Sequence, residues 1–394
     1  MLKIFVLERF FIMKKIISIV LSLIIFCTLF SATTVSAKVK KGKCGKNITY
    51  TLSSDKSKLT ISGKGEMYNY LSLESYPRYA SAFDENNRKC LPPWVEFERF
   101  FEGYENERNE IWEWGQNNYT ISVSKGITSI GANAFYGLED SKSQQVITLP
   151  NTVKTIYGGA FSCSAFKTIV IPDNVRKISS EVVYYKDNTV YPMLGSFECC
   201  ASKNIKISEK SKLKTIDCNA FKNSNVNYIN KNNSLPKVTY VGEGAFYGAD
   251  IPNISLPKAE VYKSAFKYCR KLKKADVSGT KKIRAYTFLG CKKLKDVKLG
   301  NKLVWIGTES FKGCKTLESI TIPKNVKEIK DNAFMNATKL KTVIIKSKKL
   351  KTVCTGAFEN VNKNVVFKVP KSKLKQYKAL ISPNAPKTAK FVGI

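Results

Sequence analysis

Histidine is missing from the chain altogether. That absence excludes Ser–His–Asp and Cys–His catalysis, histidine metal sites and the usual neutral-pH general base. The 11 cysteines include no C-x-x-C pair, which argues against zinc and thioredoxin-like redox sites. No cofactor is expected. Acidic side chains are scarce: 31 Asp and Glu stand against 66 Lys and Arg, a formal charge of +35. Such an excess favours anionic surfaces such as wall polymers, acidic glycans, nucleic acid or anionic lipid. The alternative is compositional. The chain is rich in Lys, Asn, Ile, Tyr and Ser, as an AT-rich genome dictates, and its lysines are scattered rather than blocked. Nothing singles out a specific nucleic acid. Long apolar runs are also lacking: after residue 37 no stretch of about 18 apolar residues occurs, so no helical membrane span is expected there.

What is present begins with an address. Met13-Lys14-Lys15 forms a basic n-region, Ile16–Phe30 an apolar run and Val35-Ser36-Ala37 a small-residue cleavage site. Residues 1–37 therefore read as a signal peptide with Met13 as the functional start. An uncleaved anchor is the alternative. Cys27 comes after Phe26 rather than a small residue, which argues against lipoprotein processing. The segment carries a net +3, leaving +32 on the mature chain. A secreted or noncovalently surface-associated monomer is expected.

Residues 38–70 carry two alternating β-rich segments, Cys44–Leu52 and Leu59–Gly65, around a polar Ser-Ser-Asp-Lys-Ser turn. This predicts a small β-hairpin that caps the open end of the downstream body. Residues 71–118 change character, with Trp94, Trp112 and Trp114 among clustered acids. Aromatic platforms beside carboxylates are what a glycan site or a glycosidase needs. An irregular insertion packed on the solenoid end is the other reading, since nothing fixes the separation of any carboxylate pair. Cys44 and Cys90 flank the region and are a candidate disulfide by position only.

From residue 119 to 364 one signature recurs. A small residue precedes Phe135, Phe161, Phe197, Phe221, Phe246, Phe266, Phe288, Phe311, Phe334 and Phe358, at spacings of 20 to 26 residues with one of 36. Five residues before the Phe stands a β-branched aliphatic in nine of the ten copies. The exception is Pro192, in the long copy, where Val182–Met193 reads as a loop insertion. Upstream lies an L-x-x-I-x-I strand, as in Leu317–Ile322. A strand of this pattern turns its apolar side chains into the coil, and one turn cannot bury that face alone. The prediction is a β-rich repeat solenoid with short helical or irregular convex segments, stabilised by stacking. Cys269, Cys291 and Cys314 fall in register and are read as buried thiols acting as small hydrophobes, because Ser and Ala hold the same place in sibling repeats. A metal site or disulfide ladder is the competing reading. Residues 365–394, with a strand at Val365–Pro370, a short helix at Lys371–Leu380 and an apolar end, read as the C-terminal cap.

The I-P-x-x-V-x-x-I-x-x-x-A-F unit, complete at Ile322–Phe334, and the N-terminal Cys-Gly…Leu-x-I-x-Gly-x-Gly segment resemble the BspA-like branch of the leucine-rich repeats. The likeness covers roughly Cys44–Ile394. That family occurs in exported proteins of anaerobic bacteria and some mucosal protozoa. The resemblance implies protein or surface recognition, with adhesion described for some members, and no shared catalytic residues.

By strand alternation Lys273, Lys274, Asp276, Lys295, Lys298, Glu318, Thr321, Lys341, Ile344 and Lys346 share one outward face. A shallow, mostly basic ribbon suits an acidic partner; a merely solvated face is the alternative. Trp305 holds the place of Glu328 in the next repeat, so it should be exposed and serve as a binding anchor. Otherwise it covers the edge of a neighbouring coil. The candidate ligand-binding set is Trp305, Lys273, Lys295, Lys298, Lys341 and Lys346, with Trp94, Trp112 and Trp114 of the insertion. Three functions compete: a binding or adhesion module for host or neighbouring-cell proteins and surface ligands, an electrostatic binder of anionic polymers, and a glycan-active enzyme in residues 66–114.

Overall fold

The computed structural model describes residues 39–55, 57–70, 120–138, 145–184, 190–202 and 204–394. They form a β-solenoid of about ten turns. The coils stack into two parallel ladders, one strand per coil in each, except that between Asn204–Ile207 and Asn253–Ser255 the first ladder is carried by isolated bridges at Tyr228 and Ser234. The first ladder contains the L-x-x-I-x-I strands, as in Ser319–Ile322, Thr342–Ile345 and Val366–Val369, paired in register. The expected alternation holds: Ile320 and Ile322 are buried while Ser319 and Thr321 face out. A tight turn closed by the Val326 N–H to the Pro323 carbonyl (3.2 Å) then redirects the chain. The second ladder uses two-residue strands, as in Trp305–Ile306 and Glu328–Ile329. Its inward aliphatics, such as Ile156, Ile216, Ile283 and Ile329, are fully buried.

The third side of each coil is the phenylalanine turn. Ten rings from Phe135 to Phe358 form one buried column with centroids 5.1–5.3 Å apart. Past the first pair the planes are within 15° of parallel, so the rings keep to the coil rise rather than filling isolated wedges. The small residue before each Phe has a second use. The Phe N–H of one coil donates to its carbonyl in the next, for example Phe311 to Ala333 at 2.7 Å and Phe334 to Ala357 at 2.8 Å.

Reversing direction around the rings uses left-handed backbone two residues after every one of the ten and, except at Phe197, two residues before it. Asn219 and Asn223 flank Phe221 with φ of +54°, and Asn332 and Asn336 flank Phe334 with φ of +54° and +61°. Asn and Gly tolerate that region best. They also interlock between coils. A Cβ added to Gly356 would fall 2.2 Å from the Asn332 amide oxygen of the preceding coil, so Asn packs where Gly leaves room.

The three aligned cysteines are buried thiol donors. Cys269, Cys291 and Cys314 each point a thiol at a phenylalanine carbonyl of the previous coil, at 2.8, 3.0 and 3.3 Å to Phe246, Phe266 and Phe288. Burial pushes all three well up from the ordinary thiol range, holding them protonated. Ser164 and Ser224 bond the Phe carbonyl of their own coil at 2.7 Å, which explains why Ser substitutes at this place.

Three features depart from the sequence expectation. The segment read as a loop contains an antiparallel hairpin, Ser180–Tyr184 against Val190–Gly195. It is inserted after Ile178, which pairs in register with Ile156 and Ile216. Pro192 therefore never belonged to the aliphatic position. At the N-terminus Cys44–Leu52 is two strands rather than one: Lys40–Gly45 and Ile48–Leu52 pair antiparallel, and Ile48–Leu52 then pairs with Lys58–Gly63. Lys58–Gly63 runs parallel to Thr120–Val123 and so starts the first ladder. Lysines 40, 41 and 43 occupy the free edge, where charge discourages further strand addition. At the other end, a 3-10 turn and the helix Leu374–Ile381 lead to Lys390–Gly393, the last rung of the first ladder.

Asn384 stands in for a missing coil there. Its carbonyl accepts from Phe358 N–H at 3.0 Å, its amide oxygen from Gly356 N–H at 3.2 Å, and its amide nitrogen donates to Val353 at 3.1 Å. Tyr377 is buried beside it, accepting from Leu350 N–H at 3.0 Å and donating to the Ser347 carbonyl at 3.1 Å. Among the described residues no helix is long and apolar enough to cross a membrane.

Candidate ligand-binding faces

The outward residues of the first ladder line up as alternation requires, and the resulting ribbon is mixed in charge. Lys274 lies opposite Asp296, and Asp276 opposite Lys298. The corresponding ion pairs measure 3.5 Å and 3.1 Å. Lys298 is thus engaged by Asp276. Burial pushes the Asp276 carboxyl up, but hydrogen bonds from Ser278 and Lys298 outweigh it and hold it below the usual carboxylate range. Lys273, Lys295, Lys341 and Lys346 are exposed, with Glu318 at the Lys295 position one coil on. Among the described residues none of these four lysines forms an ion pair.

Trp305 sits on the other ladder, between Lys282 and Glu328. It does not join the lysine ribbon. The indole is half-buried, with the Lys282 ammonium 5.5 Å from its ring centroid. Glu328 is taken by Lys330 at 2.6 Å. Trp305 therefore presents part of one face beside a cation on a flat ladder. Trp94, Trp112 and Trp114, the remaining acids of the insertion and Cys90 lie outside the described residues. Cys44 is fully buried, and burial pushes its thiol up to about 12.

A third group escaped the sequence reading. Tyr240 and Tyr262 meet at 4.9 Å on the second ladder, and the Arg284 guanidinium covers Tyr262 at 4.3 Å. On the turn side, the Lys267 ammonium lies 5.6, 5.2 and 5.4 Å from the rings of Tyr247, Tyr268 and Tyr286. The signal was available. Aligning the copies on their phenylalanines puts tyrosine at two places where sibling coils carry mainly Asn or Gly. Among the described residues no group of three or more His, Cys, Asp or Glu side chains is arranged to hold a metal ion. What these surfaces offer is recognition chemistry: amines, a guanidinium and aromatic faces on a rigid frame.

The sequence matches the BspA type leucine rich repeat region in six copies, over residues 109–191, 194–280 and 259–379. Similar solved structures include a leucine-rich repeat protein from Bacteroides ovatus, at 22% identity over 89% of this chain and 99% of that one, with a TM-score of 0.40. A leucine-rich repeat protein from Eubacterium ventriosum is 20% identical over 82% of this chain and 95% of its own, with a TM-score of 0.38. A leucine rich cell surface protein from Faecalibacterium prausnitzii is 16% identical over 92% and 97%, with a TM-score of 0.27. No curated protein matches the sequence.

Proposed function

Because the chain belongs to the BspA type leucine-rich repeat family, whose repeat region covers most of its length, we propose that it is an exported, non-enzymatic binding module for proteins or surface ligands of a host or neighbouring cell. One observation carries this reading. The coil register repeats each outward position about every 4.8 Å on parallel ladders, so side chains that the core does not use are displayed in fixed rows. Lys273, Lys295, Lys341, Lys346 and the exposed part of Trp305 are such side chains. Preorganised rows lower the ordering cost of binding an extended partner. Residues 1–37 direct export in this reading, and the acidic insertion at 71–118, with Trp94, Trp112 and Trp114, supplies a second surface. The protein acts as a monomer, secreted or held noncovalently at the cell surface.

A second reading is supported by the unpaired lysines and the +32 that remains once the +3 of residues 1–37 is taken from the full-chain +35: an electrostatic binder of anionic polymers. Binding of the purified chain to arrays of host-matrix proteins, glycans and teichoic acids, at two salt concentrations, separates the two. Protein binding that persists at high salt supports the module and refutes the polymer reading. Polymer binding that falls steeply with salt does the reverse. Turnover of a glycan would overturn the non-enzymatic assignment.

A further inference from the structure

Two tyrosines on the turn face stand where the coil would be better served by other residues. Tyr268 and Tyr286 both have φ of +61°, at positions held by Asn223 and Asn219, or Gly248 and Gly244, in earlier coils. Left-handed backbone is unfavourable for a bulky aromatic and persists only where its surroundings over-determine it. Here both rings converge with Tyr247 on the Lys267 ammonium. Tyr268 is edge-on to Tyr247 at 84° and leans over Gly290 of the next coil, where an added Cβ would lie 2.5 Å from it. The ring is therefore fixed in place while remaining 39% exposed. The neighbouring acids are taken, Glu243 by Lys263 and Asp250 by Lys271. Lys267 has no carboxylate partner among the described residues, and Arg270 and Lys292, both exposed, hold the same place in two successive coils, two residues after Tyr268 and after the Gly290 it covers.

We infer that this tyrosine-walled patch around Lys267 is a binding site for an acidic polysaccharide. Tyrosine faces stack on the C–H face of a sugar ring, and their hydroxyls bond its hydroxyls. Lys267, Arg270 and Lys292 offer cations to uronate or sulfate groups. The three rings come from three successive coils and Arg270 and Lys292 repeat at the coil spacing, so the site suits a polymer lying along the solenoid axis. A purely electrostatic attraction would need the cations alone and gives no reason for strained tyrosines. This assignment rests on the binding-module reading and narrows it to one face and one ligand class.

The test uses the full chain, polygalacturonate as probe, neutral dextran and poly-glutamate as controls, and about 0.3 M salt to screen long-range attraction. The double variant Tyr268→Asn/Tyr286→Asn leaves the charge unchanged and installs the residue that sibling coils use at these positions. Its melting temperature should equal or exceed the parent's. Its affinity for polygalacturonate should fall at least about tenfold, as should that of Lys267→Gln, with dextran unbound throughout. An affinity unchanged in the double variant would show that bulk charge does the binding and overturn the site. An equal loss toward poly-glutamate would identify an acidic-peptide site and overturn the polysaccharide assignment. If the parent ignores polygalacturonate yet binds array proteins, the site falls and the module stands.

Discussion

The phenylalanine column makes the stability of this solenoid testable at one residue. Phe288 is fully buried between Phe266 and Phe311, each 5.3 Å away, at interplanar angles of 6° and 15°. Truncation to alanine removes the ring from both contacts at once. The void cannot close readily, because the backbone is pinned on both sides: Phe266 N–H to the Thr287 carbonyl at 2.9 Å and Phe288 N–H to that of Ser310 at 2.8 Å. Phe→Ala in a packed core costs about 3–5 kcal/mol, of which two ring contacts supply about 0.5–1.5 kcal/mol each. In a globular domain that loss would be shared. In a solenoid each coil touches only its neighbours, so the deficit falls on two adjacent interfaces and weakens the coupling between the blocks on either side. Hydrogen exchange read by peptide mass spectrometry should show protection lost around Phe266, Phe288 and Phe311 and kept around Phe135 and Phe161. Phe135→Ala, at the end of the column and tilted 35° to Phe161, should cost less. Protection lost uniformly along the chain, or a destabilisation of Phe288→Ala below about 1 kcal/mol, would refute the stacked-coil account.

The chain ends and the thiols offer further perturbations. Asn384→Ala strands the buried Gly356 N–H and the Val353 carbonyl; a cost of about 1–3 kcal/mol, with faster exchange confined to the last coil, is expected in the same experiment. Asp55, in the turn of the N-terminal cap, is held at about 2 by hydrogen bonds from Ser53, then the Ser57 hydroxyl and Ser57 N–H. A depressed carboxylate contributes stability above its unfolded value of about 3.9, lost as pH falls toward 2. Amide protection of Ile48–Leu52 should therefore be flat from pH 7 to about 4 and decline below, a decline that Asp55→Asn abolishes. Native alkylation near neutral pH should spare the fully buried Cys269, Cys291 and Cys314 relative to the more accessible Cys199 and Cys354, as read by peptide mapping. Cys291→Ser should cost no more than about 1 kcal/mol in a denaturant titration, because a hydroxyl keeps the donor.

The scaffold was legible because its rules are local. A β-branched residue five before each phenylalanine marks the second ladder, and Ile130, Ile156, Ile216, Val241, Val261, Ile283, Ile306, Ile329 and Val353 all lie where that spacing puts them. The rule broke at Pro192 because fixed spacing assumes nothing is inserted, and the Ser180–Gly195 hairpin enters between Ile178 and Phe197. The surface was less legible because its rules act across coils. Lys298 reads as a free cation along the chain, yet its neighbour is Asp276 one coil back, which register alone reveals. The same holds for Lys282 beside Trp305, and for Lys267, whose three ring partners come from three successive coils.

The left-handed positions then separate structure from recognition more sharply than exposure or charge does. Where Asn occupies one, its amide packs against the same place in the next coil, as Asn223 does at Gly248, Asn332 at Gly356 and Asn336 at Asn360. Such a residue is explained by the fold. Glu309, at φ of +51°, is a poorer fit, but Lys312 pairs with it at 2.9 Å across the same turn. Tyr268 keeps the geometry of the Asn lock, leaning over Gly290, while replacing a compact amide by a ring that the fold leaves partly in solvent. Tyr286, one coil on, takes the left-handed position before its phenylalanine, where other coils carry Asn219 or Asn332. A substitution that keeps the lock and worsens the backbone is hard to assign to folding, since Asn would satisfy both. Tyr268→Asn alone should accordingly stabilise the chain, by up to about 1 kcal/mol if the left-handed penalty is at its low end. A loss of stability instead would mean that the ring is structural, and the case for a site at Lys267 would go with it.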